Sequence, residues 1–220
     1  MGPRGLVIFI PPAVDGEAEL QAEAQALEAI GFATLLYRPP YRKEDPAYVF
    51  GDPVKEKDRW NKARNEFHEI LDAAHARGFT KSQIAVVGKN LGGSLGSFVS
   101  AQKVGCFIAA GSIPRLSAFY SRSSHPIAVE RRKNLSEASL ERFTSAIRTF
   151  DLAETLSKKE EVNVLIQFGS ADPWIDTFQV KAFEASMHES HKLRWIEDEH
   201  SMNSKAAVEQ RRNWIIESLG

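Results

Sequence analysis

Apolar runs of strand length punctuate the chain at residues 6–10, 33–37, 84–87, 106–110, 162–168 and 193–196. Between them, apolar positions recur at helical spacing over 16–30, 57–77, 91–104, 177–188 and 203–219. Runs that are apolar at consecutive rather than alternate positions belong to strands covered on both faces. Parallel neighbours need helical crossovers, so the alternation predicts an α/β fold: a mostly parallel sheet of six or more strands with helices on both faces. Residues 112–151 break the rhythm with Pro114, a Ser/Arg-rich stretch, His125-Pro126, the basic triplet Arg131-Arg132-Lys133 and one amphipathic helix near 137–147. Such an excursion is expected to form either a lid over a site or a solvated insertion, with the basic triplet on a solvated face. A second irregular stretch, 38–53, holds four prolines with Tyr41, Tyr48 and Phe50, and would supply a pocket rim or a long loop.

A length of 220 residues with 43% hydrophobic content suits one domain, 1–220, with one sizeable core. The 28 basic and 29 acidic side chains leave a formal charge of −1, so no global field favours nucleic acid or an anionic membrane, and a small-molecule ligand or substrate is the expected partner. No apolar run approaches the roughly 20 residues that span a bilayer, and the N-terminus leads straight into a strand, so the expected location is the cytoplasm. The single cysteine, Cys106, sits in an apolar run and is expected to be buried and inert. His188-x-x-His191 has no third ligand placed by the pattern; neither a metal nor a cofactor is expected.

The chemistry concentrates around Gly88-Lys89-Asn90-Leu91-Gly92, which follows the strand ending at Gly88 and opens a helix. A strand, a tight glycine-flanked turn and a helix make the nucleophile elbow G-x-S-x-G, but the central residue here is an amide that cannot become an alkoxide. Asn also tolerates the left-handed backbone such a turn requires, so a purely structural role stays open. Gly92-Gly93-Ser94-Leu95-Gly96 spells the same pattern, but Ser94 falls about one turn into the helix and is expected to be buried behind Asn90. Farther on, Asp172 follows one buried strand and His200 the next. Asp172, which precedes a proline, also suits a simple turn, and His200 a position flanking the last helix.

The order elbow, Asp, His resembles that of α/β-hydrolases, and the chain is similar over nearly its whole length to the small dienelactone-hydrolase and esterase-like members. The resemblance implies Asn90 at the nucleophile position, Asp172 as the acid, His200 as the base and the Leu91 amide as one oxyanion donor. The second donor would come from the loop Pro11-Pro12-Ala13-Val14; the prolines have no N–H, which leaves Ala13 or Val14, with Ala13 taken as the donor. Trp174, Phe119 and Tyr120 are expected to shape the substrate pocket.

Four functions compete on these residues: an esterase or thioesterase acting on a small carbonyl substrate, with its nucleophile replaced by Asn90; a non-catalytic small-ligand-binding protein (a pseudoenzyme), in which the amide is a hydrogen-bonding group; an Asp-nucleophile hydrolase with the Asp present as Asn; and a His200–Asp172 dyad that activates water directly.

Overall fold

A computed structural model describes residues 2–12, 16–40, 53–100, 103–156, 162–175 and 177–220. Among these, six strands form one parallel sheet: β1 (Leu6–Ile10), β2 (Ala33–Leu36), β3 (Ile84–Lys89), β4 (Cys106–Ala110), β5 (Asn163–Gly169) and β6 (Lys192–Ile196), in the order β2-β1-β3-β4-β5-β6. β1, β3 and β4 are buried along their whole length, as consecutive apolar runs require. The edge strands β2 and β6 are more exposed, and β6 carries Lys192 and Arg194, charges that discourage further strand pairing.

Alternate side chains of each strand feed two cores. On one face Ile8, Val86, Phe107 and Ile166 pack with Trp60, Phe67 and Leu71 of α2 (Pro53–Ala76) and Leu95 of α3 (Leu91–Ser100). On the other, Val7, Phe9, Val87 and Ile108 pack with Leu20 and Leu27 of α1 (Glu17–Glu28) and with Ile215 and Leu219 near the C-terminus. Cys106 lies in this second core, and burial pushes its thiol up to about 12.

The irregular segment is more regular than its composition suggests. Besides the expected helix, here α6 (Glu137–Ile147), it contains α4 (Leu116–Arg122) and α5 (Pro126–Asn134), and α7 (Leu152–Leu156) follows directly. Leu116, Tyr120, Phe143, Ile147 and Phe150 are buried in the first core, and Phe150 packs on Trp60 of α2 with ring centroids 4.6 Å apart. The basic triplet is not a solvated face. Arg131 is 1% exposed, its guanidinium 4.6 Å from the centre of the Phe143 ring and 5.6 Å from that of Tyr120. Arg132 donates to the carbonyls of Tyr120 and Ser123, and Lys133 alone of the three is exposed. Among the described residues the remaining α-helices are α8 (Thr177–Glu184), shorter than the 177–188 pattern, and α9 (Lys205–Leu219). Tyr41, Tyr48 and Phe50 lie outside the described residues. No helix among the described residues is long and apolar enough to cross a membrane.

Candidate functional site

β1 has β2 on one side and β3 on the other, so the chain reverses its direction of travel across the sheet at this pair. Such a switch point leaves a crevice outside the C-terminal strand ends. A cleft of about 610 Å³ occupies it, with Pro12 and Gly16 from the loop after β1, Lys89 and Asn90 from the end of β3, Trp174 from the loop after β5 and His200 from the loop after β6 contributing to its wall.

Asn90 stands alone between β3 and α3 with φ 51°, in the left-handed region. Its backbone is held on both sides: its N–H donates to the Ala110 carbonyl at 3.0 Å, and its carbonyl accepts from Gly93 N–H at 3.1 Å. Leu91 is the first residue of α3, where backbone N–H groups have no intrahelical partner. The turn is so tight that a Cβ on Gly92 would lie 2.4 Å from the Ile10 carbonyl oxygen. The placing of Asn90 at the cleft wall therefore depends on backbone packed against backbone.

Asp172 and His200 meet across the two loops. His200 Nδ1 lies 2.6 Å from Asp172 Oδ2, and the Asp172 side chain has no solvent exposure. A carboxylate only accepts, so Nδ1 carries the proton of this bond, and the neutral form of that tautomer has its lone pair on Nε2. The other carboxylate oxygen accepts from Trp174 N–H at 2.8 Å. Asp172 is thus a turn residue and a histidine partner at once, one oxygen for each.

Asn90 Oδ1 is buried and has no hydrogen-bond partner among the described residues. It lies against Gly111, just past β4, where φ is +60° and an added Cβ would be 2.9 Å from Oδ1 and 2.5 Å from the His200 carbonyl oxygen. Gly111 is the spacer that lets the elbow and the histidine loop approach each other. A glycine directly after a buried strand at this sheet edge is the signal that marks it.

The other expected residues are distributed differently. Trp174 borders both the cleft and a neighbouring cavity of about 210 Å³ that also includes Phe119. Tyr120 is 3% exposed and sits in the core, edge-on to Phe143 at 5.0 Å. Ser94 is 1% exposed inside α3. Ala13 lies outside the described residues. No group of three or more His, Cys, Asp or Glu suited to a metal occurs among the described residues.

Sequence reading missed His125. Its ring lies 4.8 Å from Trp174, edge-on, and 6.4 Å from His200. Its Nδ1 accepts from Ile127 N–H at 3.2 Å, so the ring that packs edge-on with Trp174 is neutral. Burial first, then the nearby His200, holds it below the ordinary histidine range. A histidine ahead of a proline at a helix start is a local cue for a cap, but nothing local places it beside Trp174.

No protein-family model matches the sequence, and a search of curated proteins finds no match. Solved structures do match. A metagenome-derived lipolytic enzyme, of the pair LipS and LipT, superposes with a TM-score of 0.70 at 11% identity, covering 98% of this chain and 95% of that one. Est1E from Butyrivibrio proteoclasticus gives 0.69 at 17% identity, covering 100% and 90%. The esterase domain of a Rhodothermus marinus protein gives 0.64 at 11%, covering 100% and 89%. The chain has the α/β-hydrolase fold.

Proposed function

We propose that this protein is an esterase-type α/β-hydrolase whose cleft binds a small ester-like carbonyl compound, with Asn90 at the position of the attacking residue. The observation that carries the reading is the convergence of the left-handed elbow residue Asn90 with the His200–Asp172 pair on one cleft. In such a site His200 Nε2 would take the proton of an attacking hydroxyl, Asp172 would hold the imidazole in the required tautomer, and the Leu91 N–H would stabilise the oxyanion. An amide at residue 90 offers hydrogen bonds but no attacking atom, so the acyl-enzyme route is closed while ligand binding persists.

The experiment is hydrolysis of short p-nitrophenyl esters by the wild-type protein, Asn90→Ser and Asn90→Ser/His200→Ala. Turnover confined to Asn90→Ser and lost in the double variant supports the reading. Folded proteins without turnover in any of the three would replace it with a ligand-binding function.

A further inference from the structure

The cleft holds a second reactive group that ester chemistry does not use. Lys89, the last residue of β3, is 1% exposed yet forms part of the cleft wall beside Asn90. Its Nζ donates to Oδ1 of Asn203, a neutral amide on the loop that carries His200.

Among the described residues, the charges around Lys89 do not give it a dedicated counter-ion. Arg211 approaches from α9 with the same sign. Glu23 of α1 is engaged by Arg211 through both carboxylate oxygens. Asp198, after β6, accepts from Glu199 N–H and Ser204 N–H, both at 2.8 Å. Glu19 of α1 and Glu199, both exposed, are carboxylates of the cleft wall. Burial first, then Arg211, bring the ammonium down to about 8 against the pull of Glu23, Glu19 and Asp198. A buried lysine that loses its proton near neutral pH, in a cleft open to ligands, has the properties of an amine nucleophile.

We infer that Lys89 is a carbonyl-reactive amine that forms an imine with an aldehyde or ketone held in the cleft. The Nζ lone pair attacks the carbonyl carbon, the C–O π electrons pass to oxygen, and a proton moves from nitrogen to that oxygen through solvent in the cleft. The hydroxyl takes a further proton and leaves as water while the nitrogen lone pair closes the C=N bond. Loss of the last N–H proton restores the acid. One amine and one carbonyl are consumed, and one imine and one water are formed. Nothing in this step requires an attacking atom at residue 90.

The test is reductive trapping. The folded wild-type protein is treated with benzaldehyde and sodium cyanoborohydride at pH 8; hydride adds to the imine carbon and leaves a benzylated lysine, which peptide mass mapping locates. The comparison residue is Lys205, whose side chain is 88% exposed. At pH 8 the neutral fraction of Lys89 is roughly a hundredfold larger than that of an ordinary lysine, and its lower basicity takes back roughly tenfold, so labelling about tenfold faster than Lys205 is expected. The rate should fall as the pH is lowered from 8 to 6. Lys89→Met should lose the labelled peptide, and if that variant does not fold, the wild-type map still decides. Labelling of Lys89 no faster than of Lys205 would overturn the inference. Because trapping reads Nζ and ester turnover reads residue 90 and His200, either proposal can fail without the other.

Discussion

At the scale of single residues, the elbow is limited by backbone contact rather than by side-chain packing. A methyl group on Gly92 would meet the Ile10 carbonyl oxygen at 2.4 Å and that of Pro11 at 3.0 Å, and neither can swing aside as a side chain could. Gly92→Ala is therefore expected to cost about 2 to 3 kcal/mol, read as a lower urea midpoint at unchanged m-value. An unchanged midpoint would mean that α3 can move away from β1. Asn90 separates two further contributions. Its φ of 51° suits Asn and Gly and strains other residues, while its buried Oδ1 returns no hydrogen bond among the described residues. Asn90→Gly should thus be about as stable as wild type, and Asn90→Ala about 1 kcal/mol less stable. Equal stability of the two variants, measured by the same denaturation curves, would show that the left-handed turn relaxes when Asn is removed. Asn90→Ser should share the Ala penalty, so its esterase assay belongs well below its unfolding transition.

At the scale of elements, the insertion behaves as a built layer anchored by its caps. His125 starts α5 by accepting the Ile127 N–H at Nδ1, and the same ring braces Trp174. Protonation removes the accepting lone pair and places a positive charge near the His200 ring. With the folded-state value below the ordinary 6.5, the unfolded chain binds the proton more readily. This contribution to stability is present above about pH 6.5 and is lost as the pH falls through the window below it. His125→Asn keeps a capping acceptor without titrating in this range, so its melting temperature should fall less than that of wild type between pH 7 and pH 5. Parallel melting curves for the two proteins would remove His125 from this role. The same element shows why the insertion was only partly legible. The apolar spacing over 137–147 marked α6, and in the fold Ser136 caps it by accepting from Ser139 N–H. The face of α5, in contrast, is covered by Arg131, which is buried through aromatic rings contributed by α4 and α6. Charge alone reads as solvent exposure until those rings are placed against it.

At the scale of the whole molecule, local pattern and tertiary assembly divide the information. The strands were legible because consecutive apolar residues have few other uses, and Asp172 and His200 because each directly follows such a strand. The partnership of Arg211 with Glu23, 188 residues away, has no local sign at all. Arg211 is fully buried, bonds both oxygens of Glu23 on α1, donates to Gln167 Oε1 of β5 at 3.0 Å and to the Met202 carbonyl at 2.9 Å. Met202 itself has φ 51° and follows His200 by two residues, so this one guanidinium ties α1, β5 and α9 to the loop that presents the histidine. Removing it strands a buried carboxylate, and Arg211→Met should cost about 3 to 5 kcal/mol. Arg211→Met/Glu23→Leu eliminates the stranded charge and should recover part of that loss. Recovery will be incomplete, because Gln167 and the Met202 carbonyl still lack their donor. Guanidinium denaturation of wild type, both single variants and the double variant gives the coupling energy, expected at about 1 to 3 kcal/mol. Additive losses would mean that the charges are stabilised separately, and the histidine loop would then owe its left-handed turn to the packing of Met202 against Ala110, Ile196 and Ala207.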